Sequence, residues 1–180
     1  MKLKKVFAIF FYLAGIFLMF FHLVVFADNP KQDKALQVIK KFGTNLKQEL
    51  QAGLKKSPVE AIKICHLKAP ELTQAATEDG IQIGRVSFKY RNPQNKPKPW
   101  MLNEMKAYHA GRIKTPFAIV KLQNGKEGLL KPIRTEPLCL NCHGPEIKPE
   151  VKMEIQRLYP KDTATGFKVG DIRGFFWAEY

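Results

Sequence analysis

Two cysteines, Cys139 and Cys142, stand one helical turn apart in the stretch PLCLNCHGP (137–145), and His143 follows directly. C-x-x-C-H is the attachment signature of c-type haem. Two thiols at this spacing can each add to a haem vinyl group, and the thioethers then fix one edge of the porphyrin. The adjacent imidazole falls beneath the iron as its proximal ligand. Gly144 has no β-carbon, so backbone there can pass close to the ring, although an ordinary turn glycine would look the same. Two other chemistries compete. A C-x-x-C disulfide would be a redox motif, but no thioredoxin-like βαβ pattern surrounds it. Zinc needs four ligands, which Cys65, Cys139, Cys142 and one histidine could supply, yet the second pair lacks knuckle spacing.

The opposite face of the iron is open in this reading. Haem proteins use His, Cys or Met there, and the candidates are Cys65, His66, His109, Met101, Met105 and Met153. Composition alone favours a methionine, but each of the three also reads as ordinary core packing. His66 and His109 read as surface residues. Cys65 shares a helix face with Ala61 and Ile62, where a buried free thiol is the plain alternative. Periodicity does not choose among them. The two haem propionates would need cations, and Arg85, Lys89 and Arg91 in GRVSFKYRNP (84–93) are candidates, since arginine binds carboxylates bidentately. Solvated loop charge is the competing reading. Asn92, Pro93, Asn95 and Pro97 read as shaping that loop, and Asp171 with Arg173 as a pair in the last hairpin without a chemical role.

The first 27 residues differ from the rest. Lys2, Lys4 and Lys5 form a basic head, 6–27 is a charge-free, Phe-rich run, and Val25-Phe-Ala27 reads as a cleavage site before Asp28. The run is also long enough to span a bilayer, so an uncleaved anchor is the alternative. Either way the lysines stay in the cytoplasm and residues 28–180 are exported, which places the protein in the periplasm. Covalent haem attachment takes place outside the cytoplasm, so the export signal, the motif and a total of only three cysteines agree on one haem c held by Cys139 and Cys142. The net charge is +14, or +11 without the three leader lysines. Export and the lack of any nucleic-acid motif argue against nucleic acid as the partner. Scattered lysines that keep the surface soluble account for most of the excess.

The elements that must position these groups follow from pattern. Leu36, Ile39, Phe42, Leu46, Leu50 and Leu54 predict a long amphipathic helix over 31–56. Ser57-Pro-Val-Glu60 is a helix start, with a serine cap and proline at the first position. Pro70 is expected to break that helix and open another, ended by Gly80. Residues 81–88 alternate as a strand, 91–100 form a proline-rich ordered loop or a linker, and 100–110 form a helix stopped by Gly111. Gln123-Asn-Gly125 between 117–122 and 126–134 predicts a hairpin with a type I′ turn. A short helix over 149–158 and a last strand or two over 167–178, bent at Gly170 and Gly174, complete the chain. Helices come first and strands later, which gives one α+β domain over 28–180 with an antiparallel sheet.

Four segments, AIKICHLKAPEL (61–72), IGRVSFKYRNPQNKPKPW (83–100), CLNCHG (139–144) and GFKVGDIRGFF (166–176), occur in order. Together they resemble the signatures of the PAS-like haem c domain family of exported bacterial proteins, long catalogued as a domain of unknown function. The resemblance implies a PAS-like antiparallel sheet flanked by helices. It also implies His and Cys axial ligands, the cysteine being Cys65 ahead of Ala69-Pro70. Phe175-Phe-Trp177 departs from the smaller residues of the family. A thiolate opposite histidine favours ferric iron and lowers the potential relative to His/Met ligation. Two function classes then stand: a carrier passing single electrons to a redox partner, and a haem-based redox or gas sensor responding to a small diffusible ligand. No kinase, cyclase or chemoreceptor segment follows the haem segments, so a sensor would need a separate partner protein and the balance tilts to redox transfer. An enzyme such as a peroxidase would need distal acid–base groups, and no such set is evident.

Overall fold

The computed structural model describes residues 29–77 and 80–180; the leader, 1–27, lies outside the described residues. Helix α1 (Pro30–Leu54) starts on Asn29, whose side chain accepts the Gln32 amide, and buries Ala35, Ile39 and Phe42. Helix α2 (Pro58–Ala76) starts as its sequence dictates: Ser57 Oγ accepts the Glu60 amide at 3.1 Å, and Pro58 fills the first position. The two helices cross tightly at Gly53, where a Cβ would lie 2.5 Å from the Ala61 Cα.

Pro70 does not break α2, which runs on to Ala76. A proline inside a helix costs about 3 kcal/mol and removes the donor for the carbonyl four residues back, here His66. Burial of Ala61, Ile62 and Ala69 along the same helix offsets that loss, and tertiary packing overrides the local signal. Gly80 takes its left-handed φ of 79° just ahead of the sheet rather than at the helix end.

Strands β1 (Gln82–Val86), β2 (Ala118–Lys121), β3 (Glu127–Arg134) and β4 (Ile172–Glu179) form one antiparallel sheet in the order β1-β4-β3-β2. One face packs Ile81, Ile83, Leu129, Phe176 and Ala178 against Ala35, Ile39 and Phe42 of α1. The other packs Val86, Leu130 and Phe175 against Met101, Met105 and Tyr108, the last two carried by helix α3 (Leu102–His109). The expected α+β architecture, an antiparallel sheet flanked by helices with a long N-terminal helix, is the one formed. The β2–β3 turn spans 122–126 rather than two residues: the Leu122 amide donates to Lys126 O and the Gly125 amide to Leu122 O. Gly125 supplies the left-handed corner at φ 77°. The proline-rich loop is ordered, with 3₁₀ turns at Pro93–Asn95 and Pro99–Met101. Lys98 and Trp100 tie it to Glu179 at 2.6 and 2.8 Å.

Candidate functional site

The C-x-x-C-H segment leaves the sheet at the end of β3. Thr135 pairs there with the chain entering β4, donating to Asp171 O at 2.8 Å and accepting from the Gly170 amide at 2.9 Å. A 3₁₀ turn (Pro137–Cys139) then runs into the single-turn helix α4 (Leu140–His143). That winding puts Cys139 and Cys142 on one side, one turn apart. A Cβ on Gly144 would meet the Leu140 carbonyl at 2.8 Å. The close approach this glycine permits is therefore to its own preceding turn.

His143 is held by the segment ahead of β4. Its Nδ1 lies 2.6 Å from the Ala164 carbonyl, its own carbonyl accepts the Phe167 amide, and the Gly144 carbonyl accepts the Gly166 amide. Asp162 fixes that segment by accepting the Ala164 amide at 2.9 Å, while Thr163 donates through both amide and hydroxyl to Tyr90 O. A carbonyl can only accept, so Nδ1 carries the proton and Nε2 keeps its lone pair. Burial first, then the guanidiniums of Arg173 and Arg91, hold the imidazole well below the usual histidine range, so the ring is neutral. Arg91 locks the same corner: its Nη2 donates to Cys142 O at 2.6 Å and to Asp162 Oδ2 at 3.2 Å, and its Nε lies 3.2 Å from Asp162 Oδ1.

Cys65 reaches this corner from α2. Ile62, one turn earlier on the same helix face, packs with Val151 and Ile155 of helix α5 (Pro149–Leu158), and Cys142 packs on the same cluster. Burial pushes the Cys65 thiol up, while Arg85, Arg173 and Arg91 pull the other way. Cys142 is likewise raised by burial, with Arg91 opposing and the Cys65 and Cys139 sulfurs adding to the rise. All three cysteines are free thiols. Among the described residues no three His, Cys, Asp or Glu side chains come close enough to hold one metal ion, so the four-ligand zinc arrangement is not formed.

The remaining axial candidates lie in other surroundings. Met101 and Met105 are fully buried in the α3 core, and Met153 is exposed. His109 is exposed and packs on Phe88 and Phe175. His66 stacks edge-on against Tyr159 at 5.0 Å. Lys89 sits at the rim, its Nζ 3.2 Å from Thr165 O and 5.3 Å from the centre of the Phe167 ring, which stands edge-on to His143.

Arg85 and Arg173 face the cysteines without a carboxylate partner among the described residues; Arg173 neighbours Arg85, Arg91 and the Cys139 and Cys65 sulfurs, and Arg85 the Cys65 sulfur and the Tyr159 phenol. The expected Asp171–Arg173 pair is not formed, because Asp171 Oδ2 caps the Lys168 amide at 2.8 Å. Sequence reasoning missed Asp162, Ala164, Phe167 and Arg173 as parts of this site. For Arg173 a signal existed: a glycine inside an alternating strand, as in DIRGFF, marks a bulge.

The profile of the Tll0287-like proteins matches residues 27–178. The chain belongs to the Tll0287-like family. It is a family of the kind that the four sequence segments resemble. The crystal structure of the cyanobacterial heme-protein Tll0287 is similar, with a TM-score of 0.63 at 23% identity, covering 86% of this chain and 96% of that one. At that identity the likeness extends to the fold. No curated protein matches the chain.

Proposed function

We propose that the chain is an exported haem c protein that passes single electrons to a redox partner protein. The observation that carries this reading is His143: Nδ1 is fixed on the Ala164 carbonyl at 2.6 Å, which orients the ring and leaves Nε2 as the free donor that a metal-binding histidine needs. The other groups fit a haem. Cys139 and Cys142 are reduced and correctly spaced for two thioethers. The Cys65 and Cys139 sulfurs both lie near enough to raise the Cys142 thiol, so the three cysteines surround one region. Bound haem supplies a one-electron iron couple.

The chain's own residues do the rest. His143 would hold the iron through Nε2 in a fixed ring orientation. Cys65, carried by α2, would supply a sulfur ligand, and as thiolate it would favour the ferric state. Arg91 holds the Cys142 turn to Asp162, so the motif is rigid before any cofactor arrives. Arg85 is the cation available for a propionate, whereas Arg91 is largely engaged by Asp162 and Cys142. The basic head and apolar run of residues 1–27 support export to the periplasm, with or without cleavage. The heme-protein with the similar fold supports the same cofactor class.

The test is absorption spectroscopy of the full chain, matured in an exporting host, beside Cys65→Ser. The wild type is expected to carry covalent haem with low-spin thiolate features, and the variant to keep the haem and lose those features. A spectrum unchanged by Cys65→Ser removes Cys65 from the iron. Electron exchange with a small cytochrome then checks the carrier role, and a slow exchange argues against it.

A further inference from the structure

Arg173 is placed by an irregularity in β4. On the β3 side Ile133 pairs with Gly174 and Arg134 with Ile172, so Arg173 has no partner and forms a bulge. The bulge changes which face the strand start presents. Beyond it, odd residues such as Phe175 and Trp177 pack on the α3 side with Val86, while Phe176 and Ala178 pack on the α1 side with Ile83. Ahead of it, Ile172 packs on the α3 side with Phe175. Arg173 is thereby turned to the face of Phe176, and Arg85 stands opposite Phe176 on β1. Two features lock the bulge. Ser87 Oγ donates to the Arg173 carbonyl at 2.6 Å, and at Gly174 a Cβ would lie 2.5 Å from the Val86 carbonyl, so only glycine fits.

The side chain so placed is incomplete. Among the described residues Arg173 Nε is buried with no hydrogen-bond partner and no ion pair holds this guanidinium. Its charged surroundings are Arg85 and Arg91, with the Cys139 and Cys65 sulfurs. A guanidinium cannot discard its charge, and two of them buried together without an anion oppose folding. A bidentate carboxylate would satisfy both.

We infer that Arg173 and Arg85 together form a two-guanidinium seat for a carboxylate, and that a haem propionate fills it. This rests on the haem reading above and adds a binding residue to it. The experiment is pH-difference infrared spectroscopy of the ferric, full-length holo-protein with ¹³C-labelled haem carboxyls, comparing wild type with Arg173→Gln, Arg173→Lys and Arg134→Gln. Removing an opposite charge in contact with an acid raises the pH at which it ionises by about 1–3 units. Arg173→Gln is expected to show that rise for one propionate. Arg173→Lys should show a smaller rise, since it keeps the charge and loses the fork. Arg134→Gln, an exposed neighbour, should show none, and the axial-ligand spectrum should be the same in all four. If Arg173→Gln does not mature, Arg173→Lys decides. An unmoved propionate on covalently attached haem overturns this inference alone; a chain that takes up no covalent haem overturns the haem reading with it. Added acetate that saturates a spectral change in the wild type, and fails to in Arg173→Gln, means that a diffusible carboxylate owns the seat and the propionate assignment is wrong.

Discussion

Phe175 and Arg173 stand two positions apart on β4 and belong to opposite kinds of structure. Phe175 is fully buried among Val86, Met101, Met105, Tyr108 and Leu130, with a ring contact to Tyr108 at 5.4 Å. Every group there is matched by another side chain of the protein. Arg173 meets Arg85, Arg91, the Cys139 and Cys65 thiols and a neutral imidazole, and the carboxylate of this corner, Asp162, is taken by Arg91. One strand thus serves a region that its own atoms complete and a region that they leave short of negative charge. The difference separates packing from function without reference to any relative: a closed apolar cluster asks for nothing, whereas crowded cations around nucleophilic sulfurs ask for an anionic, sulfur-binding guest.

The largest effect that would sharpen this contrast lies on the closed side. Phe175→Ala should lower stability by about 3–5 kcal/mol, since a cavity opens where nothing can move in. Denaturant unfolding measures it, and the fraction that remains folded should keep the haem spectrum of the wild type. A loss under about 1 kcal/mol would show that the α3 side is not the closed core described.

A smaller effect belongs to the open side. In haem-free Cys139→Ser/Cys142→Ser protein, His143 is neutral when folded, with its protonation held below the usual histidine range chiefly by burial. The unfolded chain takes up that proton near pH 6.5. Below that point the unfolded state binds one more proton than the folded one. Stability is therefore full above about pH 6.5 and falls as pH drops, by at most about 1.4 kcal/mol per pH unit. Thermal unfolding between pH 7.5 and 5 should show the slope, and His143→Gln in the same background should flatten it. Equal slopes in the two proteins would mean that burial does not shield the imidazole.

Much of the closed side was legible in the sequence, and less of the open side. Ile39 and Phe42 declare α1 by their spacing, and Ser57-Pro58 declares the start of α2, because these signals are local and nothing competes with them. Pro70 misled, since the packing that holds the helix through it comes from residues far along the chain. C-x-x-C-H suggests a chemistry on its own because a covalently held haem would dictate that spacing. The partners that orient His143, Ala164 and Phe167, were illegible: they act through a backbone carbonyl and a backbone amide, which any residue supplies. Arg173 reads as half of a pair in the last hairpin, and only the pairing register of β3 against β4 exposes the bulge that turns it.

The smallest expected effect tests whether the rigidity of the motif comes from surface charge or from the buried corner. Lys47 of α1 reaches both oxygens of Glu136, at 3.0 and 2.8 Å, just before the C-x-x-C-H turn. On a contact map this pair looks like a tether for the haem motif. Its side chains are 48% and 51% exposed, however, and exposed pairs lose to solvent screening and side-chain entropy most of what they gain. Arg91 with Asp162 has the same chemistry at 14% and 9% exposure and bonds the Cys142 carbonyl as well. Lys47→Ala should therefore change stability by less than about 0.5 kcal/mol and leave haem attachment as it was, measured by unfolding and by the yield of covalent haem. A clear drop in attachment would move the organising contact of the motif from the buried Arg91 corner to the surface of α1.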